Sequence, residues 1–286
     1  VKRQLGIVEY KYRINWSQVE FSNSIDEIQH PIVREALRLF KIDFPLEITT
    51  FTDIPGQTGL GSSSAFSVGL VHALYALKGE MVTKHILASD AAKIEVDILG
   101  RTMGKQDHYS CAIGGINLFK FKDDESVEIK KLSLSNERVN EIFNCTLSFW
   151  TGVTRASETT LSEQDKNSRI NEKNLKLMRE QTSDLLHEFM NDNFSIKNFG
   201  EIINKNWNLK KQLSSNITNR KIDEIYNDCL KNGAYGGKIS GAGNGGFLNI
   251  IAEDIYSKKI SSNLQKFGLK KVKFLSDKKG SHLIYN

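Results

Sequence analysis

The chain has 286 residues and a formal net charge of +5, without the large aromatic-laced basic patch that nucleic-acid binding requires. Apolar residues make up 39% of the sequence, enough for a core, and no stretch reaches the apolar length of a membrane helix. We therefore expect neither a nucleic-acid nor a membrane partner. The three cysteines fit neither a zinc site nor a disulfide framework, which favours a reducing compartment such as the cytoplasm.

The first half of the chain contains a predicted strand and two predicted helices. "LEITTFTDIP" alternates like a strand and ends at Pro55. A helix that is apolar on most sides, and is therefore buried, follows Ser64 and ends at Gly79. A second helix is predicted from about Thr83 to Leu99.

The second half contains more strands, separated by long charged helices. Strands are predicted at "GINLFKF" and "CTLSFW", and helices from about Ser157 to Lys231. The chain then returns to strands at "YGGKIS", "GFLNIIA", "LKKVKFL" and "HLIY", with a helix through Leu264. Because there is no regular βαβ period, this order predicts an α+β fold of two domains, residues 1–144 and 145–286.

The stretch "PGQTGLGSSSA" combines a glycine-flanked turn with three serines at the start of the first predicted helix. Glycines let backbone N–H groups approach a ligand closely, and the helix directs its positive dipole end to the same place. Serine hydroxyls there can bond phosphate or a phosphate-bound magnesium ion. The stretch lacks the lysine of a P-loop, and the alternative is a strand-to-helix turn with redundant serine caps.

Glu95 lies on the second helix, and its neighbours three and four residues away are apolar. With no partner on the helix, this carboxylate favours an external cation, for which a metal ion is a natural candidate. The alternative is a glutamate that reaches solvent at the edge of the buried stripe. Asp107 precedes a short predicted helix, where it is either a functional carboxylate or an N-cap. His108 is interpreted as structural, since nothing nearby marks a triad.

The stretch "KISGAGNGGFLNI" places four glycines within six residues between two predicted strands. A hairpin needs one or two glycines, so the excess indicates backbone that approaches a ligand, as in an anion-binding nest. The alternative is a flexible strand connection.

Taken together and in this order, the three stretches resemble the GHMP kinases, which include galactokinase, homoserine kinase, mevalonate kinase and phosphomevalonate kinase. "PGQTGLGSSSA" is similar to the family's phosphate loop, and "KISGAGNGGF" to its third motif, with Asn244 where a glycine is frequent. "MGKQDHY" is similar to the galactokinase stretch that carries the catalytic Asp. The resemblance implies two α+β domains with the active site in the cleft between them.

Within this superfamily, "HPIVREAL", "GKQDHYSCAIGGINLFKF" and "WTGVTRASE" are most similar to kinases of D-glycero-D-manno-heptose 7-phosphate. That branch implies phosphorylation of the anomeric hydroxyl to the 1,7-bisphosphate, for the synthesis of nucleotide-activated heptose and surface polysaccharide. The family's first motif, an N-terminal strand with a glycine-rich turn, is not found after Val1. We therefore expect a sequence that is truncated at its start or has lost part of its site.

The resemblance also implies the roles of individual residues. Asp107 would accept the proton of the sugar hydroxyl, and Ser63 and Glu95 would hold Mg²⁺; these three form the implied catalytic set. The residues implied to bind ATP are Pro55, Gly59, Leu60, Gly61, Ser62, Ser63 and Ser64. Those implied to bind the sugar phosphate are Asp107, Thr151, Arg155, Gly241, Ala242 and Gly243.

Arg155 follows a predicted strand, and its guanidinium can hold a phosphate in bidentate fashion. It can equally be an exposed arginine at the start of the following helix. Three readings of the whole chain stay open: the heptose-phosphate kinase, a non-enzymatic sugar sensor, and a GHMP kinase for another acceptor such as galactose, fucose or mevalonate. A homodimer is compatible with all three.

Overall fold

The structure, a computed structural model, describes residues 1–154 and 157–284. Their contacts divide the chain into two compact units. Unit 1 contains Val1–Pro55, Gly61–Asn117 and the residues from Asp277 onward. Unit 2 contains Gly56–Leu60 and Leu118–Ser276.

Unit 1 is built on a four-stranded mixed sheet in the order β1-β4-β2-β3. Its strands are β1 (Lys2–Arg3), β2 (Tyr12–Asn15), β3 (Val19–Ser22) and β4 (Leu46–Thr49). β2 and β4 run parallel, and the other two pairs are antiparallel. Tyr12, Ile14, Leu46 and Ile48 alternate along β2 and β4 and are buried, so one face of the sheet belongs to the core.

In the part of the chain that the structure describes, unit 1 also contains four α-helices. They are α1 (Pro31–Leu39), α2 (Ser62–Leu77), α3 (Lys84–Ala92) and α4 (Gln106–Ile113). The predicted buried helix is confirmed as α2, which contacts α1, α3 and α4. The second predicted helix is confirmed in part. It is capped by the Thr83 side chain, but from Lys93 to Ile98 it widens into a π-helix.

Unit 2 contains a hairpin and an antiparallel four-stranded sheet in the order β10-β7-β9-β8. The hairpin strands are β5 (Asn117–Phe121) and β6 (Val127–Lys131), and the sheet strands are β7 (Thr146–Trp150), β8 (Gly236–Ile239), β9 (Phe247–Ile251) and β10 (Lys270–Val272). Leu147, Phe149, Leu248 and Ile250 form the sheet side of one core cluster, which the helices cover with residues such as Trp207.

Among the described residues of unit 2 there are six α-helices. They are α5 (Asn136–Cys145), α6 (Ser157–Lys166), α7 (Glu172–Met190), α8 (Ile196–Lys210), α9 (Arg220–Lys231) and α10 (Asp254–Lys266). The charged region between β7 and β8 is therefore helical, as predicted. Within the described ranges, no helix combines the length and the apolar character needed to cross a bilayer.

The predicted domain boundary near Asn144 does not coincide with the division by contacts. α5 packs on β7 and so belongs with unit 2, whereas the C-terminal segment joins unit 1. In unit 1, the Gly115 N–H donates to the Asp277 carbonyl at 2.6 Å, and the Ser281 N–H donates to the Cys111 carbonyl at 2.8 Å. The strand predicted at "HLIY" is wrong for residues 282–284, because this segment attaches to the end of α4 and has no ladder partner there.

Candidate active site

Helix α2 begins without any side-chain cap. Its N-cap is Gly61, which has a left-handed backbone with φ +69°, and the three serines occupy the first turn. The interpretation of the serines as redundant caps is therefore wrong. The N–H groups of this turn have no acceptor within the helix and lie at its positive dipole end, an arrangement that favours an anion.

The three serines differ in their surroundings. The Ser63 hydroxyl donates to the Glu95 carboxylate and accepts from Arg101 Nη1 at 2.8 Å. Ser64 is buried, and its hydroxyl has no partner among the described residues. Ser62 is half-buried. Ser63 is thus the serine that joins the start of α2 to an acidic group.

Glu95 lies in the π-helical segment, and its side chain is 0% exposed. One carboxylate oxygen, Oε1, contacts His108 Nε2 at 3.0 Å, and the other, Oε2, accepts from Ser63 and Arg101. Burial by itself would raise the pKa of Glu95, but hydrogen bonds from His108 and Ser63 and the charge of Arg101 outweigh it and lower the pKa. Glu95 is thus a buried carboxylate ion, and the alternative that it reaches solvent is wrong.

His108 and Arg101 complete the surroundings of Glu95. His108 is fully buried, and its Nδ1 has no partner in the part of the chain that the structure describes. Among the described residues, the His108 ring makes its polar contact with Glu95 and so orients that carboxylate, in keeping with a structural role. Arg101 does not stand out as a site residue in the sequence. The one signal that could have found it is a basic residue six positions after a carboxylate with no partner on its own helix.

Asp107 is the second residue of α4, whose N-cap position is Lys105. Asp107 is therefore not the N-cap, and that alternative is wrong. Its carboxylate lies against Gly61: a Cβ built on Gly61 would come within 3.0 Å of Asp107 Oδ2. Packing of α4 on α2 thus places a partly buried carboxylate at the start of α2.

The oxygen donors at this place suit a magnesium ion. A serine hydroxyl and a carboxylate are hard ligands, and Mg²⁺ is usually held by one or two protein groups together with phosphates and water. Across the described ranges, no group of three or more His, Cys, Asp or Glu side chains could hold a metal ion. Ser63 and Glu95 supply one donor of each kind, and Arg101 is bound to both of them.

In unit 2, the glycine-rich loop after β8 packs on the loop Gly56–Leu60. A Cβ on Gly59 would lie 2.5 Å from the Ser240 carbonyl oxygen, and a Cβ on Gly241 would lie 2.5 Å from the Gly59 α-carbon. A Cβ on Gly243 would lie 2.5 Å from the Ile217 carbonyl oxygen. Close contact of backbone with backbone therefore explains several of the glycines that the sequence analysis attributed to a ligand.

Asn244 holds the centre of that loop. It is buried, with φ +59°, a conformation that asparagine adopts more readily than most residues. Its N–H donates to the Ile217 carbonyl at 2.7 Å, and its Oδ1 accepts from Asn219 Nδ2 at 2.7 Å. The residue that departs from the family motif thus keeps the backbone geometry of a glycine and adds a side-chain anchor.

The remaining residues that the resemblance implies as ligands differ in their burial and in their contacts. Thr151 is half-buried and donates its hydroxyl proton to the Gly246 carbonyl at 2.8 Å. Ala242 is half-buried, and Leu60 is 37% exposed. Pro55 ends the first segment of unit 1. Arg155 lies outside the described residues.

Two family models match this chain. The model of the GHMP kinases N terminal domain matches residues 31–115, and the model of the GHMP kinases C terminal matches residues 183–269. The chain therefore belongs to the GHMP kinases. The first match contains the α2 serines, Glu95 and Asp107, and the second contains the glycine-rich loop.

Among curated relatives, the chain is 30% identical over 220 residues to the D-glycero-alpha-D-manno-heptose 7-phosphate kinase of Campylobacter jejuni. The match covers 76% of this chain and 64% of the relative, so the chain spans less than two thirds of that protein. It is 27% identical to the L-fucokinase/L-fucose-1-P guanylyltransferase of Bacteroides fragilis, over 82% of this chain and 25% of the relative.

Solved structures confirm the two-domain GHMP kinase fold. A crystal structure of a D-glycero-D-manno-heptose 1-phosphate kinase from Bacteroides thetaiotaomicron matches with a TM-score of 0.72 and 19% identity. That match covers 100% of this chain and 86% of the other. At this identity the likeness concerns the fold alone.

Proposed function

We propose that this chain is an ATP-dependent sugar kinase that phosphorylates the anomeric hydroxyl of D-glycero-D-manno-heptose 7-phosphate. The observation that carries the proposal is the convergence of Ser63, Glu95 and Asp107 at the uncapped start of α2. A protein that only senses a sugar has no need of a base and a cation site at a phosphate-binding helix end. The similarity to the Campylobacter heptose 7-phosphate kinase supports the choice of acceptor.

In the proposed reaction, the sugar oxygen forms a bond to the γ-phosphorus of ATP while the bond from that phosphorus to the β-phosphate oxygen breaks. Asp107 accepts the proton of the attacking hydroxyl. An anomeric hydroxyl is more acidic than an ordinary alcohol, so a modest base suffices. The first-turn N–H groups of α2 hold phosphate oxygens and stabilise the charge that develops on them.

Ser63 and Glu95 would hold a magnesium ion at the start of α2. When bound, such an ion neutralises phosphate charge and aligns the nucleotide for in-line transfer. His108 keeps the Glu95 carboxylate in place by its contact with Oε1, which leaves Oε2 directed to Ser63. The protein thus supplies positioning and charge, which is most of what phosphoryl transfer requires.

The test is a panel of acceptors with ATP and Mg²⁺, with ADP formation as the rate and ³¹P NMR to locate the new phosphate. The panel contains heptose 7-phosphate, galactose, fucose and mannose. We expect the highest kcat/KM for heptose 7-phosphate and a phosphate at its anomeric oxygen. Preference for a neutral sugar would refute the acceptor, and sugar binding without any ADP formation would favour the sensor.

The distal phosphate of the acceptor needs a cationic partner. We propose Arg155 for this role, because it follows a predicted strand and its guanidinium can hold a phosphate. Arg155→Ala should lower kcat/KM for heptose 7-phosphate more than for a neutral sugar. Equal losses on both acceptors would show that Arg155 does not bind the phosphate.

A further inference from the structure

Arg101 is bound to the same two groups that suit a magnesium ion. Its Nη1 donates to the Ser63 hydroxyl at 2.8 Å and to Glu95 Oε2. A guanidinium and a divalent cation cannot share these oxygens, because each fills the space of the other and like charges repel strongly at such separations.

Glu95 needs a cation at all times. Its carboxylate is wholly buried, and an isolated buried charge is costly unless it is paired and hydrogen-bonded. His108 and Ser63 satisfy its hydrogen-bonding capacity in part, but the permanent positive charge comes from Arg101. The arginine is thus the charged partner of Glu95 in this structure.

Arg101 is also the partner that can leave. Its side chain is 27% exposed, whereas that of Glu95 is 0% exposed. Its N–H donates to the Glu95 carbonyl at 3.1 Å, so the backbone stays anchored while the side chain can turn to solvent. The preceding Gly100, with φ +63°, has open space around it. The backbone of Arg101 is therefore fixed, while its guanidinium group can move.

We propose that Arg101 is the resident counter-ion of the Ser63–Glu95 pair and is exchanged for a divalent cation when the site is loaded. This inference rests on the proposed function, which supplies the cation. In the metal-free protein, Arg101 keeps the site neutral and competes with free divalent ions. Exchange releases a guanidinium at the start of α2, where the phosphates of an incoming nucleotide give it a new anionic partner.

The test measures direct binding of Mn²⁺ to the full chain without nucleotide, with the electron paramagnetic resonance signal of free Mn²⁺ as readout. Arg101→Gln should bind Mn²⁺ on the order of tenfold more tightly than the parent, because the competing charge is gone. Adding Glu95→Gln to this variant should abolish the gain. Arg38→Gln is the matched control: Arg38 pairs with Asp26 and Glu35 elsewhere in unit 1, so Mn²⁺ affinity should not change.

An unchanged Mn²⁺ affinity in folded Arg101→Gln would overturn the proposal, as would a gain that survives Glu95→Gln. If Arg101→Gln is too unstable to titrate, its melting temperature replaces the titration. Mn²⁺ should raise the melting temperature of Arg101→Gln more than that of the parent, because in the variant the bound ion replaces a charge that the parent already has in Arg101. An equal or smaller rise would also refute the exchange.

This experiment is independent of phosphoryl transfer. Absence of kinase activity on every acceptor would count against the proposed function and leave the Mn²⁺ result to stand. The reverse outcome, an active kinase whose Arg101→Gln variant gains no Mn²⁺ affinity, would remove the counter-ion role alone.

Discussion

The Asp107 carboxylate lies against the α-carbon of Gly61, so that a methyl group on that glycine would come within 3.0 Å of Oδ2. Gly61 is thus required twice, once for its φ of +69° and once for the space that the carboxylate occupies. The N-terminal end of α2 and the proposed base are therefore a single packed unit, and a change in one must displace the other.

Gly61→Ala should lower both stability and kcat. The left-handed backbone costs a residue with a Cβ about 1–2 kcal/mol, and the new methyl also displaces Asp107. Gly79→Ala is the matched control, with φ +70° but no atom within 4 Å of the built Cβ. It should cost similar stability, measured by urea unfolding, and leave kcat unchanged. Equal kcat values in the two variants would show that the contact between Gly61 and the Asp107 carboxylate does not determine activity.

Asp107→Asn should slow phosphoryl transfer by roughly a hundredfold or more, the usual size of a general-base effect, while ATP binding stays intact. The amide keeps the shape beside Gly61 but cannot accept the proton. Single-turnover rates measure the transfer, and equilibrium titration with a non-hydrolysable nucleotide measures binding. A variant that turns over near the parent rate would show that Asp107 only packs against α2.

Glu95→Gln should raise the Mg²⁺ concentration needed for half-maximal rate and lower the maximal rate. The amide keeps an oxygen for Ser63 but loses the charge that attracts the metal. Asp97→Asn, an exposed carboxylate change in the same π-helix, is the control and should leave the Mg²⁺ titration unaltered. If Glu95→Gln titrates like the parent, Glu95 is not a ligand.

Asn244→Gly should cost about 1 kcal/mol of stability, because it keeps the left-handed backbone but loses the hydrogen bond from Asn219. Asn244→Ala should cost more, since it loses the same bond and adds strain at φ +59°. Lys41→Gly, at an exposed residue with φ +53°, is the control and should be neutral or stabilising. Urea unfolding ranks the three variants by their free energy of unfolding. A gain in stability for Asn244→Gly would contradict a stabilising role for the hydrogen bond from Asn219.

Local patterns in the sequence predicted most of the regular structure. The apolar character of residues 66–77 predicted the buried helix α2, and the strands predicted at "CTLSFW" and "GFLNIIA" are β7 and β9 of the core sheet. Where prediction was wrong, the cause was a contact distant in sequence. The "HLIY" segment reads as a strand, but the preceding residues are tied to the end of α4 and hold it away from any sheet ladder.

At the site, the chemistry that is contiguous along the chain follows from residue type and order: glycine and serine at the start of α2, and acidic residues at 95 and 107. The pairings between these groups arise only on folding. Arg101 takes the charge of Glu95, His108 orients it, and the glycines of two distant loops meet backbone to backbone. The reason is physical: propensity and periodicity act over a few residues, whereas a buried charge is satisfied by whichever group the packed chain brings within bonding distance.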